Sequence, residues 1–387
     1  MPDQTTRRTP VRRLFLTILA AALAAGSVAF TPQPMYGQAP EPKTAEEVYK
    51  NITQLKGTPA DQVTPAMTFI SASLGVDCAF CHVQDKPEAD DKPQKKTARE
   101  MIAMQAMINK ESFRGQRQVT CYSCHRGSAR PVNMPPITES GAPAPPPPAA
   151  APPAGPVTTV DSIIEKCVAA MGGADAIRQV STRVMKGVIV ASGVSTSIEV
   201  ITKAPNKRVT VTHNAAIAVE GAASTEGRAN DMFTAFDGKA GWMGNSGRPA
   251  RDMSPFESEA SSLDAEFALA LRLKEIFPQL RRGRPEDING LQCETLNGSG
   301  PGRPAVRLYF DTKSGLLVRM VRYAETPVGR NPTQIDYADY RVIGTVRIPF
   351  RWTLSRTNGR FTIQISDGSE NVPVDDSRFA KSATGVK

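Results

Sequence analysis

Residues 131–157, from Pro131-Val132-Asn133-Met134-Pro135-Pro136 through a Pro/Ala tract to Gly155-Pro156, constrain this chain more than any other feature. Proline removes main-chain donors, and the stretch offers almost no large apolar side chain, so no hydrophobic core can form across it. It reads as an extended, semi-rigid linker. The chain is thereby divided into a helical, cysteine-bearing segment at residues 40–130 and a strand-rich segment at residues 158–387. The length of 387 residues agrees, because about 150 residues per domain predicts two folded units plus connections. The expected fold class is α+β multidomain, a small all-α domain followed by a curled antiparallel β half-barrel with helices.

Residues 1–39 have the layout of an export signal. A basic stretch ends at Arg13, an apolar run of 17 residues follows from Leu14 to Phe30, and small residues surround Gly37 to Ala39. The run is shorter than the roughly 20 residues that span a bilayer comfortably, which favours a cleaved signal over an anchor. Arg12-Arg13-Leu14-Phe15-Leu16 also resembles a twin-arginine signal. The net charge is +9, with four arginines against one aspartate in that leader. Elsewhere Lys and Arg alternate with Asp and Glu, without a basic stripe interleaved with aromatics, so a nucleic-acid partner is excluded.

In the first segment Thr44 and Glu47 form a capping box for a short helix carrying Val48, Ile52 and Leu55. Thr64-Pro65 opens a second helix with Met67, Ile70 and Leu74 on one face, and Gly75 ends it in a left-handed cap. A third starts at Thr97 with Glu100 as its box partner and places Met101, Met104 and Ile108 on one stripe. The second segment opens with a helix from Val160 to Met171 that stops at Gly172-Gly173. Strands follow at 184–190, 196–202 and 208–212, with a hairpin across Asp237-Gly238 and a helical interruption at 262–278. Further strands fall near 291–296, 304–310, 316–324, 333–342, 348–355 and 360–366, with turns at Asn289-Gly290, Ser314-Gly315 and Asn358-Gly359.

The chemistry lies in Cys78-Ala79-Phe80-Cys81-His82 and Cys121-Tyr122-Ser123-Cys124-His125, both of the form C-x-x-C-H. That pattern attaches c-type haem, two thiols adding to the vinyl groups while the adjacent histidine ligates the iron. Four of six cysteines and two of three histidines fall in these windows. A four-cysteine zinc cage is disfavoured, because the 39 residues between the pairs exceed the roughly 15–20 of a zinc ribbon and zinc would not explain the histidines. Paired structural disulfides are disfavoured by the strain of a two-residue spacing. With no further histidine in the segment, a thioether is the natural distal ligand. Met67 is the methionine near the first motif, and either Met101 or Met104 can serve the second.

The stretch from Val48 to Gly127 resembles the cytochrome subunit family of the photosynthetic reaction centre. The likeness is carried by Asn51-Ile52 to Leu55, Ser73-Leu74-Gly75-Val76, Arg99-Glu100-Met101, Ile108-Asn109 and Thr120-Cys121-Tyr122-Ser123-Cys124-His125-Arg126-Gly127. It implies two covalent haems bound through Cys78, Cys81, Cys121 and Cys124, iron ligands His82 and Met67, and His125 with Met101 rather than Met104. Members that serve reaction centres have four haems, whereas this chain has two motifs before its linker, and nothing between Asn109 and Cys121 matches the histidine of the fourth haem. Residues 158–387 resemble, more weakly, outer-membrane lipoprotein-sorting proteins. Lys203-Ala204-Pro205-Asn206-Lys207, Phe236-Asp237-Gly238 with Trp242, and Tyr309-Phe310-Asp311 with Gly315-Leu316-Leu317 carry that likeness.

The expected function is periplasmic, membrane-associated electron transfer between redox partner proteins, among them a membrane electron-transfer complex, without enzymatic chemistry. Two other assignments compete: a peroxidase-like dihaem enzyme, which needs one iron with an open position, and a lipophilic-ligand binding protein with an accessory dihaem module. Cys167 and Cys293 either pair or remain free thiols, and His213 reads as a satisfied surface residue.

Overall fold

The computed structural model describes residues 43–131, 158–213, 231–246 and 248–381. The expected signal at 1–39 and nearly all of the linker at 131–157 lie outside the described residues.

Helices α1 (Ala45–Val48), α2 (Val63–Leu74), α3 (Pro93–Ser112) and α4 (Cys121–His125) make up the first segment. The Thr44 box forms as expected, its amide donating to Glu47 Oε2 at 2.6 Å, but the helix it opens ends at Val48 because Tyr49 is extended, so Ile52 and Leu55 lie beyond it. Gly75 caps α2 with φ of 66°. The start of α3 differs from the reading at Thr97. The helix begins at Pro93, whose fixed φ and missing N–H suit the first helical position, and the Thr97 hydroxyl donates to the Pro93 carbonyl at 3.3 Å.

Beyond the linker come α5 (Val160–Ala170), α6 (Ala174–Gln179), β1 (Thr182–Ala191), β2 (Val194–Lys203), β3 (Lys207–His213), β4 (Met232–Phe236), β5 (Gly241–Asn245) and β6 (Arg251–Asp252). The interruption is two helices, α7 (Pro255–Asp264) and α8 (Leu269–Ile276). It begins earlier than 262 because Ser254 and Glu257 cap each other's main chain ahead of Pro255. There follow β7 (Arg281–Arg282), β8 (Glu286–Ile288), β9 (Leu291–Gly300), β10 (Arg303–Asp311), β11 (Leu317–Thr326), β12 (Gly329–Ile343), β13 (Val346–Arg356) and β14 (Gly359–Glu370).

All strands join one antiparallel sheet in the order β6-β5-β4-β3-β2-β1-β14-β13-β12-β11-β10-β9-β7, with β8 on β9. Nearly every neighbour along it is a hairpin partner. The exception that closes the sheet is β1 against β14, which pair from Arg183↔Glu370 to Ala191↔Phe361 with a bulge between Lys186 and Gly187. A Cβ at Gly187 would overlap the Gln364 carbonyl, so the bend requires glycine. Alternation fixes which face is buried: Val346, Ile348, Phe350, Trp352 and Leu354 of β13 all enter the main core with Leu308, Phe310 and Ile363. Ile163 and Cys167 of α5, Leu263 of α7 and Leu273 of α8 join that core, so the helices line the concave face.

Cys167 belongs to this main core, whereas Cys293 packs with Tyr309 and Val321 in a separate cluster. Both thiols are free, and burial pushes them up to about 12 and about 11 respectively.

The helical segment docks on the β11–β12 hairpin. Leu55 and Ala66 share a small core with Val328, Asn331 Nδ2 donates to the Pro65 carbonyl at 2.8 Å, and Arg117 pairs with Glu325 at 2.9 Å. Within the segment the turn after α2 meets the turn after α4: the Gly127 amide donates to Ser73 O at 2.8 Å, and Gly75 leaves room for the Gly127 carbonyl. Gly75→Ala is expected to lower the thermal midpoint well beyond the effect of Gly57→Ala. Both positions have positive φ, but only at Gly75 does a Cβ meet main chain. Strain alone costs about 1 kcal/mol, the loss expected at Gly57, and equal melting shifts for the two variants would contradict the role given to this contact.

Candidate haem-binding site

Each C-x-x-C-H motif occupies one turn of helix that begins at its first cysteine. Asp77 starts the first turn by accepting the Phe80 amide at 3.0 Å, and Cys78–Phe80 is 3-10 helical. Thr120 and Ser123 cap the second reciprocally at the head of α4. A helical turn places the two cysteines of a C-x-x-C pair on one side, as thioether bonds to a single ring require. All four motif thiols are free and none is fully buried.

The histidines are oriented alike. His82 Nδ1 lies 2.9 Å from the Pro87 carbonyl, and His125 Nδ1 lies 2.9 Å from the Ser128 carbonyl. A carbonyl only accepts, so in the neutral ring Nδ1 carries the proton and Nε2 keeps the lone pair that binds a metal.

Polar contacts hold the segments that supply these carbonyls and cysteines. Lys95, largely buried, donates to Pro87 O and Ala89 O at 2.8 Å each and pairs with Asp90 at 3.1 Å. Arg99 joins Asp90 to the Asn51 carbonyl, and Asn51 Nδ2 donates to Glu88 O at 2.6 Å. Arg99 first, then Asn51 and Lys95, hold the Asp90 carboxyl far below the usual carboxylate range. Asn109 performs the matching task for the second motif. Its Oδ1 accepts the amides of Gln118 and Val119, and its Nδ2 and the Gln105 Nε2 both donate to Val119 O, two residues before Cys121. Lys95, Gln105 and Asn109 were not singled out as positioning residues by sequence reasoning. The available signal was a set of polar residues recurring at four- and ten-residue intervals along the buried side of α3.

The donor set suits haem in a second respect. Residues 43–131 bury only four apolar side chains, Ala45, Leu55, Val63 and Ala66, yet hold seven of the twelve large apolar side chains exposed among the described residues, including Phe80, Met104, Met107 and Tyr122. A segment this size cannot be stabilised by so small a core, and flat apolar groups held at the motifs would cover the rest.

Met67 is half-buried on α2 beside Leu55 and Ala66. Met101 is half-buried on α3, whereas Met104 is 41% exposed. His213 pairs with Asp231 at 3.0 Å on the sheet.

On the concave side of the sheet a cavity of about 1050 Å³ is lined by apolar side chains such as Met185, Phe310, Met320 and Trp352. Tyr49, Thr64, Pro65 and Thr68 of the helical segment contribute to its wall. Among the described residues no helix is long and apolar enough to cross a membrane.

Residues 18–145 match the sequence family described as photosynthetic reaction centre cytochrome C subunit. The photosynthetic reaction center cytochrome c subunit of Thermochromatium tepidum is 33% identical over 93 residues, which cover 22% of this chain and 22% of that protein. The chain thus spans less than a third of the length of the curated relatives it matches. Among solved structures, a LolA superfamily protein from Nitrosomonas europaea aligns with 14% identity over 58% of this chain and 98% of its own, at a TM-score of 0.39. A putative outer membrane lipoprotein-sorting protein domain from Vibrio parahaemolyticus aligns with 9% identity over 52% of this chain and 90% of its own, at 0.36. The motif-bearing part of the chain is therefore similar to the reaction-centre cytochrome c subunit family.

Proposed function

We propose that this protein is a periplasmic, membrane-associated electron carrier with two covalent c-type haems. The observation that carries the reading is the repeated histidine geometry, Nδ1 on a main-chain carbonyl at 2.9 Å, beside a free cysteine pair in each motif. Cys78 and Cys81 would hold one group with His82 and Met67 as axial ligands. Cys121 and Cys124 would hold the other with His125 and Met101. When bound, the groups supply one-electron redox chemistry at an iron whose potential the axial thioether raises.

The chain's own residues then orient and tune. The Pro87 and Ser128 carbonyls fix the imidazole tautomers, and Lys95 donates to the carbonyl that His82 uses, coupling that ring to the Asp90 cluster. The contact of Gly127 with Ser73 ties the two motif segments together, which suits transfer between them. Redox partner proteins, among them a membrane electron-transfer complex, would exchange electrons with the two groups. With His82 and Met67 holding one iron and His125 and Met101 the other, neither would have a position left for substrate, so the reading is of a carrier and not an enzyme.

A second activity is favoured by the cavity. Its volume lies at the upper end of the roughly 300–1,000 Å³ of small-molecule sites, and its wall is largely apolar, which suits a lipophilic ligand.

Denatured protein should retain two haems per chain in an alkaline pyridine spectrum, and Cys121→Ala with Cys124→Ala should retain one. Haem extracted by acid acetone from the unaltered chain would refute covalent attachment.

Met67→Ala should turn the first iron high-spin and lower its potential. Met101→Leu should remove the sulfur-to-iron charge-transfer band of the second haem. Met104→Leu should keep it, at a cost below about 1.5 kcal/mol in a chemical-denaturation titration. The opposite pattern for Met101 and Met104 would reassign the ligand.

A further inference from the structure

Five arginines and five carboxylates line the cavity, but they do not pair one to one. Two of its arginines have their own carboxylates: Arg183 pairs with Glu370 at 2.7 Å and Arg251 with Glu257 at 2.6 Å. Glu266, also on the wall, is taken by Arg272 and Arg303. That leaves Arg208, Arg322 and Arg356 around one carboxylate, Asp264.

Arg322 Nη1 takes the Asp264 carboxylate at 2.6 Å. Arg208 reaches only the main-chain oxygen of Asp264, at 3.1 Å, and the Thr210 hydroxyl, at 3.4 Å. Arg356 lies 5.7 Å from the centre of the Phe361 ring and has no carboxylate partner among the described residues. Asp61 and Glu259, the remaining carboxylates on the wall, make no ion pair with these arginines. The Tyr337 hydroxyl belongs to the same group and is likewise without a hydrogen-bond partner among the described residues.

Arg322 is buried and Arg208 half-buried, whereas Arg356, at the end of β13, is exposed. Burial is the largest influence on Arg208, lowering it below the usual arginine range, and Arg322 lies close enough to lower Arg208 and Arg356 further. Arginine does not relieve such a cost by shedding its proton, so a buried guanidinium needs an anion. Asp264 is the one carboxylate that pairs within this group of three cations, and the group faces a cavity whose wall also carries Leu, Ile, Phe, Met and Trp side chains. Two planar donor forks beside an apolar chamber match one carboxylate or phosphate on an apolar body.

We infer that the cavity takes an anionic amphiphile, its carboxylate or phosphate held between Arg208 and Arg356 beside Arg322 and its acyl portion lying along the apolar wall. This rests on the reading of the cavity as a lipophilic-ligand site and adds the charge of the ligand to it. A free fatty acid and a phosphate-headed lipid share the chemistry.

Calorimetric titration of the delipidated, haem-loaded full chain with dodecanoate, dodecyl phosphate and dodecanol, each below its micelle concentration, separates the possibilities. The anions should bind about tenfold or more tighter than the alcohol, as charge-assisted hydrogen bonds imply. The tighter of the two anions identifies the headgroup class. Arg208→Met with Arg356→Met should bring all three ligands within about threefold while leaving dodecanol binding unchanged. Arg208→Lys with Arg356→Lys, which keeps the charge, should retain most of the preference. Equal binding of all three by the unaltered chain, or an anion preference untouched by the Met variant, overturns the inference and leaves the cavity as a lipophilic site. Binding of none of the three overturns the lipophilic reading itself. If the Met variant does not fold, the three ligands on the unaltered chain and the Lys variant decide the matter alone.

Discussion

The pairing of β1 with β14 is the contact on which the rest of the molecule depends. It joins residues nearly 180 positions apart, and without it the hairpins on either side would be two separate open meanders. Closing a loop of that length carries an entropic cost that grows only slowly with length, and the apolar residues the pairing brings onto one concave face offset it. Met185 from β1 and Ile363 and Ile365 from β14 then share a core with the helices. The same closure makes a chamber instead of a filled interior, because a curled sheet lined by α7 and α8 leaves space between its layers.

The small helical segment depends on that sheet as much as on itself. With four buried apolar side chains it lacks a core of ordinary size, and Leu55 and Ala66 gain their burial partly from Val328 of the β11–β12 turn. A Cβ at Gly329 would overlap the Phe69 ring, so this turn is shaped to receive α2. Elsewhere in the segment order comes from polar contacts: Lys95 with Asp90, Arg99 with Asn51, Asn109 with the amides before Cys121. Such contacts are directional and set angles well, but each adds only about 1 kcal/mol. A segment held this way would gain stability from the groups proposed to occupy its motifs.

What could be read from the sequence was what is local. The turns at Asn289-Gly290 and Ser314-Gly315 need left-handed residues, and Asn289, Gly290 and Gly315 adopt positive φ there. Strands from β9 to β14 are long enough for alternation to declare them, whereas β6, β7 and β8 span only two or three residues and carry no period. The start of α3 was misread because Thr97 and Glu100 satisfy the capping pattern as well as Pro93 satisfies its own, and spacing alone does not rank them. The two C-x-x-C-H motifs stand out in the sequence because the covalent attachment proposed for them would dictate their spacing. The carbonyl partners of the histidines, Pro87 and Ser128, depend on how a loop turns back, and no residue pattern announces that. The burial of Gln105 and Asn109 was hidden for the same reason: their value lies in a main-chain strand that happens to pass α3.

The two halves of the chain also share a wall. Pro65 and Thr68, on the helix that carries Met67, line the cavity, and Asn331 of β12 donates to the Pro65 carbonyl from the same side. Met67 itself packs with Leu55 and Ala66 against Val328. Helix α2 therefore presents one side to the sheet and chamber and passes, through the left-handed cap at Gly75, directly into Cys78. A rigid helix cannot shift one of these surfaces without the other, so the setting of the first C-x-x-C-H motif and the shape of the chamber are fixed by a single packing arrangement. The linker at 131–157 separates the two segments in sequence, but the contacts of α2 with β11 and β12 make them neighbours in the fold.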